Sequence, residues 1–387
     1  MIKREIAKSI IDALKVMPAV TVTGPRQSGK TTLVKNLLPG YKYINLEDLE
    51  IRAFALDDPK GFLKTAGQKA IFDEIQHAPQ LFSYLQVEID TAGRNGMYVL
   101  TGFNNFLLMQ SISQSLAGRV AIFHLLPFSQ DEIYPMVDIT LEEVIHKGFY
   151  PRLFQQIKSY HNWYADYIST YIEKDVRKLI NVGDINSFRD FLKLCAARTG
   201  QLINFSEIGN ELSVSYQTVK RWLSVLETGY ILFRLNPYSK NLNKRIVKSS
   251  KIYFYDTGLL CYLLGIKIPE DLQYHYLRGF IFESYVIAEL KKYIYNRTLN
   301  ADTWFYRDSN GNEVDVIIEA PGILKAIEIK SGKTVVKQFF KGLNYWSKVS
   351  GNKKSEQYLI YAGDDKQVRS DSIVLNWHSI SEIFNDN

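Results

Sequence analysis

The stretch AVTVTGPRQSGKTTLVKNLL, Ala19–Leu38, decides how the first part of the chain folds. A short apolar run, Ala19–Thr23, leads into Gly24-x-x-x-x-Gly29-Lys30-Thr31, after which Leu33, Val34, Leu37 and Leu38 keep a helical spacing. The pattern is strand, glycine-bearing loop, helix. A loop of this spacing turns its backbone N–H groups inward, where they and the first helical turn cradle phosphate oxygens. The two glycines let the anion approach without a Cβ in the way. Gly24, Pro25, Arg26, Gln27, Ser28, Gly29, Lys30, Thr31 and Thr32 are therefore the expected nucleotide-binding segment, a Walker A loop. Lys30 is expected at the β- and γ-phosphates and the Thr31 hydroxyl on Mg²⁺. Such a match arises by chance in on the order of one chain in a hundred of this length. The flanking strand and helix patterns lower those odds further.

Ala70-Ile71-Phe72-Asp73-Glu74 supplies the second half of a nucleotide machine, an apolar strand ending in adjacent carboxylates. Asp73 is expected to hold Mg²⁺ or its water, and Glu74 to polarise the attacking water. A bare Asp-Glu after an apolar run is usually a solvated strand end, but downstream of a phosphate loop it reads as part of the site. In Val99–Asn105, Thr101 or Asn104 is placed to sense the γ-phosphate; the alternative is a plain Gly/Asn turn. Arg119, in Ser115–Arg119, is a candidate for the cation that neutralises transition-state charge, in cis or from a neighbouring subunit. Its alternative is an ordinary surface arginine. Lys30, Glu74 and Arg119 are thus the catalytic candidates.

The segments GPRQSGKTT, IFDEIQ, LTGFNNFLL, SLAGRV with LLPFS, and GFYPRLF occur here in the order found in a family of AAA-type P-loop ATPases of bacteria and archaea. The chain resembles that family over essentially its whole length. The resemblance implies ATP binding, hydrolysis, and a C-terminal region of poorly defined function. One position departs from the pattern, because Phe103 stands where the family usually has a small polar residue after Thr-Gly.

At 387 residues the chain is expected to hold two or three domains. Up to about residue 155 strand-like and helix-like stretches alternate, with YKYINLED, KAIFDEIQHAP, MYVLTGFNNFLL and RVAIFHLLPFS as parallel strands after the first. Residues 156–268 turn mostly helical, with a strand-like pair around Tyr230–Leu235 and Ile252–Tyr255. From 269 a long helix, Arg278–Tyr295, leads into the alternating stretches TWFYRDSNGNEVDVIIEA and ILKAIEIKSG, giving a third, α/β domain over 269–387. No apolar run approaches a bilayer span and MIKREIAKSI lacks a signal-peptide core, so a cytoplasmic protein without a membrane partner is expected. Cys195 and Cys261 are isolated and read as buried apolar residues. A net charge of +6 does not by itself assign a nucleic-acid partner, because clustering is what matters.

Clustering does occur in FSEIGNELSVSYQTVKRWLSVLE, Phe205–Glu227, which reads as helix, tight turn, helix. Val219, Trp222, Leu223 and Leu226 make the inner stripe of the second helix, and Ser215 can cap it. Tyr216, Gln217, Lys220 and Arg221 are left outside, the chemistry of a recognition helix. Lys240, Lys244, Arg245, Lys248 and Lys251 follow within twelve residues as a basic wing. The family resemblance also implies a winged helix here. DNA is the expected partner, with Gln217, Lys220, Arg221, Lys244 and Arg245 contacting it; the alternative is a protein-docking winged helix with a solvated basic loop.

Glu283, Asp315, Glu328 and Lys330 form the last constellation. Strand period two places Glu328 and Lys330 on one face of Ala326–Lys330, beside Asp315 on the preceding strand. The spacing resembles the PD-(D/E)xK nuclease core, a restriction-endonuclease-like fold, with Glu283 as its helical acid. The resemblance implies a second Mg²⁺ or Mn²⁺ here and metal-dependent cleavage; an amphipathic strand pair with a salt bridge would look the same. The expected whole is an α/β chain of a P-loop NTPase domain, a winged-helix domain and a nuclease-like domain, acting as a Mg²⁺-dependent ATPase on or with DNA, with homo-oligomers in view. The alternative is a nucleotide-switched regulator that binds a protein and keeps the nuclease-like domain as scaffold.

Overall fold

The computed structural model describes residues 2–103, 115–134, 139–155, 159–171, 176, 185–239, 248–350 and 356–385. Its first compact unit holds residues 2–103 and 115–128 together with two short returns of the chain, Thr228–Tyr230 and Tyr295–Thr298.

Five strands in this unit, β1 (Ala19–Thr23), β2 (Lys42–Asn45), β3 (Ala70–Asp73), β4 (Tyr98–Gly102) and β5 (Val120–His124), pair in the order β2-β3-β4-β1-β5. All four pairings are parallel, as the alternation of strand and helix requires. Period two divides each strand between two covered faces. Val20, Val22, Ile71, Val99 and Phe123 pack with Ile6 and Ile10 of helix α1 (Ile6–Val16) and with Leu33 and Val34 of helix α2 (Lys30–Leu37). Phe72, Tyr98 and Leu100 point the other way, onto Leu81, Phe82, Leu85 and Ile89 of the helix Leu81–Ala92.

His124 closes β5 and meets residues from far along the chain. Its Nδ1 lies 2.9 Å from the Tyr230 hydroxyl, and its ring packs 5.0 Å from that of Tyr295. The Tyr230 hydroxyl also reaches Thr23 Oγ1 at 3.5 Å, one residue before the glycine loop. Burial pushes the His124 pKa down to about 4. The folded protein thus holds this ring neutral while the unfolded chain protonates it near pH 6.5. Stability contributed at His124 is present above pH 6.5 and is lost as pH falls toward 4, by about 3 kcal/mol at most. Urea melts at pH 7 and pH 4.5 should therefore show a smaller acid loss in His124→Gln than in the parent; an equal loss in both would remove His124 as a source.

The second unit carries an eight-stranded sheet in the order β12-β13-β11-β10-β9-β8-β6-β7. Its strands are β6 (Leu232–Pro237), β7 (Lys251–Phe254), β8 (Asp302–Arg307), β9 (Glu313–Ala320), β10 (Ile323–Lys330), β11 (Gln357–Tyr361), β12 (Gln367–Val368) and β13 (Ile373–Asn376). β6 and β7 form the antiparallel pair expected after the two central helices. That pair does not stand apart: Asn236 and Pro237 pair in parallel with Trp304 and Phe305 of β8, so central and C-terminal segments share one sheet.

TWFYRDSNGNEVDVIIEA, read as one alternating stretch, is instead the hairpin β8–β9. Asp308 makes the turn, its Oδ1 accepting from the backbone N–H of Asn310 at 2.9 Å and of Asn312 at 3.0 Å, with Gly311 at φ 80°. Helix α3 (Phe205–Glu211), helix α4 (Tyr216–Thr228) and helix α5 (Arg278–Asn296) stand close to where their apolar spacing puts them. Cys195 and Cys261 are buried and free. No helix among the described residues is long and apolar enough to cross a membrane.

Candidate functional site

The loop between β1 and α2 is shaped by backbone that few residues tolerate. Gly24 (φ 153°), Gln27 (φ 60°) and Gly29 (φ 92°) all take positive φ, and a Cβ at Gly24 would collide with the Leu125 carbonyl oxygen. Lys30 Nζ donates to the carbonyls of Gly24 (3.0 Å) and Pro25 (2.8 Å), which holds the ammonium inside the loop. Ser28 Oγ is buried without a hydrogen-bond partner. Arg4 braces the loop from behind, donating to Ser28 O at 2.9 Å and Leu126 O at 2.7 Å.

Beside the loop, β3 ends in Asp73, which is 4% exposed. Thr31 Oγ1 donates to Asp73 Oδ2 at 2.8 Å, Tyr43 Oη donates to the same oxygen at 2.6 Å, and Thr101 Oγ1 donates to Oδ1. The structure therefore brings together Thr31 of α2, Asp73 of β3 and Thr101 of β4, with Lys30 next to Thr31 in sequence, at the carboxyl ends of parallel strands where ligands bind in open α/β sheets. Burial and the Asp73 contact push the Tyr43 hydroxyl up, so it stays protonated and donates. Glu74 turns out of the strand in left-handed backbone (φ 54°) and accepts from Gln76 Nε2. The hydroxyl–carboxylate pair and the glycine cradle suit Mg²⁺ and phosphate in donor chemistry.

One catalytic candidate falls elsewhere. Arg119 precedes β5, and its carbonyl accepts from Ala19 N, so it stands at the end of the sheet opposite the loop. Five residues of strand separate the two ends by about 16 Å. Its guanidinium is bound to Asp90 through Nε–Oδ1 (2.6 Å) and Nη2–Oδ2 (2.9 Å), and its charge does not reach the loop of its own chain. Asn104 lies outside the described residues. Phe103 is buried, with the Arg26 guanidinium 4.9 Å above its ring.

In the second unit, α3 and α4 stand as the expected helix, tight turn and helix. Asn204 caps α3 through Ser206 N and Glu207 N, and Ser215 Oγ accepts from Thr218 N at 3.0 Å. Val219, Trp222, Leu223 and Leu226 are buried, while Tyr216, Gln217, Lys220 and Arg221 are exposed. Trp222 packs 5.5 Å from both Phe188 and Phe191. Lys240, Lys244 and Arg245 lie outside the described residues, and Lys248 is exposed. Lys251 departs from the wing reading, because its side chain is only 4% exposed.

Asp315, Glu328 and Lys330 do converge. Lys330 Nζ donates to Asp315 Oδ2 at 3.0 Å and to Glu328, and Asp315 also accepts from Ile329 N at 2.8 Å. Burial and the charge on Asp315 hold the Glu328 carboxyl well above its ordinary range. On Asp315 burial acts upward, but Lys330 and Lys251 outweigh it and hold that carboxyl low. Glu283 Oε1 faces other groups, accepting from Lys251 Nζ (3.2 Å) and Tyr253 Oη (2.5 Å). Among the described residues no group of three His, Cys, Asp or Glu is arranged to hold a metal. The residues here do not fit a second Mg²⁺ or Mn²⁺ as they stand.

Fold and loop together define the first unit as a P-loop nucleotide-binding domain. Comparison with known proteins agrees with that class: residues 17–134 match an AAA domain. Residues 139–270 and 278–380 match two domains of unknown function, DUF8612 and DUF4143. Among relatives, the uncharacterized protein Rv2008c of Mycobacterium tuberculosis is 29% identical over 86% of this chain and 74% of its own length. The uncharacterized protein MJ1637 of Methanocaldococcus jannaschii is 23% identical over 97% and 87%. Among solved structures, a Walker-type ATPase of Pyrococcus abyssi superposes with a TM-score of 0.45 at 15% identity, over 68% of this chain and 96% of that one. RuvB of Thermotoga maritima gives 0.30 at 15%, over 59% and 88%.

Proposed function

We propose that this chain is a Mg²⁺-dependent ATP hydrolase that works in contact with duplex DNA. The observation that carries the hydrolase reading is the meeting of Thr31 Oγ1 and Asp73 Oδ2 at 2.8 Å beside the Lys30 ammonium. Thr31 and Asp73 would hold Mg²⁺ there, and the ion supplies charge neutralisation on the phosphates. Lys30 and the loop N–H groups fix the phosphate chain, Thr101 orients Asp73, and Glu74 orients the attacking water. Homo-oligomerisation belongs to this reading, since Arg119 can serve phosphate chemistry only on a neighbouring copy. ATP turnover with and without Mg²⁺ tests it; hydrolysis that survives chelation of the metal would refute it.

DNA contact is supported by the exposed Gln217, Lys220 and Arg221 on α4, opposite its packed stripe. Lys220→Ala with Arg221→Ala should weaken duplex binding and flatten its salt dependence, the slope of log K against log salt shrinking by about 0.9 per lost phosphate contact. Basal ATP turnover should stay put. Mobility shifts between 50 and 200 mM salt check this at concentrations on the order of those where phosphate contacts dominate, and an unchanged affinity would move the contact off α4. A second reading, a nucleotide-switched regulator of a protein partner, is favoured by one observation: Glu283 of α5 and Asp315 and Glu328 of the sheet already face lysines.

A further inference from the structure

Lys251 opens β7, the second strand of the hairpin after α4, and sends its side chain into the sheet rather than out along the wing. Its Nζ lies 3.2 Å from Glu283 Oε1 on α5 and 2.5 Å from Glu313 Oε1 on β9. The Phe305 ring stands 5.5 Å from the ammonium, and Tyr253, two residues on and so on the same strand face, donates to the same Glu283 oxygen. The other oxygen of Glu313 is taken by Arg307 Nη1 at 3.1 Å. Lys330 occupies Asp315 and Glu328. Gly342 is packed so closely that a Cβ there would collide with Glu328 Oε1. Each acid of the cluster is therefore engaged by a fixed cation or walled in by the chain.

We propose that Lys251 is a resident cation, bridging Glu283 and Glu313 on the strand face that also carries Asp315, and that it closes this carboxylate cluster to metal. An ammonium and a hard cation compete for the same oxygens, and a buried ammonium that lost its carboxylates would be left unpaired. Burial works against the charge on Lys251, but Glu283 and Glu313 outweigh it and hold the side chain protonated. The C-terminal sheet is then a charge-balanced surface whose acids are tied to the hairpin following α4. This inference stands apart from the ATPase and DNA readings, because it concerns neither the phosphate loop nor α4.

The test is a Mn²⁺ titration of the full chain, free of nucleotide and DNA, read by electron paramagnetic resonance. The parent isotherm should not change on Glu283→Gln with Asp315→Asn, since those acids hold no metal. Lys251→Met should gain about one equivalent of Mn²⁺ per chain, lost again when Glu283→Gln is added, whereas Lys251→Arg should gain none. Two results would overturn the proposal: a parent site that disappears with Glu283 and Asp315, or a folded Lys251→Met that binds no additional Mn²⁺. Thermal melts keep it testable should Lys251→Met not fold. Glu283→Gln should lower Tm, because it takes a partner from a buried cation; a rise in Tm would show that the acids repel one another uncompensated, and the proposal would fall.

Discussion

Lys30→Ala is expected to reduce ATP turnover by on the order of 10²–10³-fold, the loss seen when one preorganised donor to developing charge is removed. The effect should be large because Lys30 Nζ is held inside the loop by the Gly24 and Pro25 carbonyls and needs no reorganisation to face phosphate oxygens. Nucleotide affinity should fall as well, since a charge-assisted hydrogen bond contributes about 1.5–3 kcal/mol. Both quantities are read directly, turnover by phosphate release and affinity by a fluorescent nucleotide. Turnover within a few-fold of the parent, in a variant with an unchanged melt, would mean that the loop binds something other than a hydrolysed nucleotide.

Glu74→Gln should separate what Lys30→Ala loses together. Binding is expected to persist, because Thr31, Asp73 and Lys30 are untouched, while hydrolysis slows by about 10²–10⁴-fold with the loss of the carboxylate that acts on water. The substitution is conservative in position: a glutamine at this site still offers an oxygen to Gln76 Nε2, so the left-handed turn at φ 54° keeps its tie. Single-turnover hydrolysis measured beside equilibrium binding gives both numbers. A parent rate in Glu74→Gln would take the water-activating role from Glu74 and leave Asp73 as the working carboxylate.

What could be read from the amino-acid order was local. The Gly24–Thr31 spacing, the apolar runs of β1 to β5 and the stripe Val219–Trp222–Leu223–Leu226 each report a backbone period within a few residues, and each appears in the structure. What escaped depends on partners far away in the chain. Tyr43 supports Asp73, and Arg4 the loop, from segments with no motif of their own. The pairing of Asn236 with Trp304 joins strands more than sixty residues apart, which no local pattern encodes. Lys251 was obscured by its neighbours, since a run of basic residues reads as solvated surface. The signal that could have separated it is its place in Lys251–Phe254, where period two puts it on the same face as Tyr253.

The returns of Tyr230 and Tyr295 to His124 bear on how this gene can be rearranged. A recombination that lifted out the nucleotide-binding part as one continuous cassette ending at Phe128 would leave behind both tyrosines that pack on His124 and the hydroxyl that reaches Thr23. The recipient would inherit a phosphate loop whose neighbouring strand end had lost its cover. Exchange of the regions after residue 128 is constrained in the same way, because any replacement must return an aromatic side chain to that ring. Insertions in this chain should therefore collect in the loops between the returning segments rather than within them.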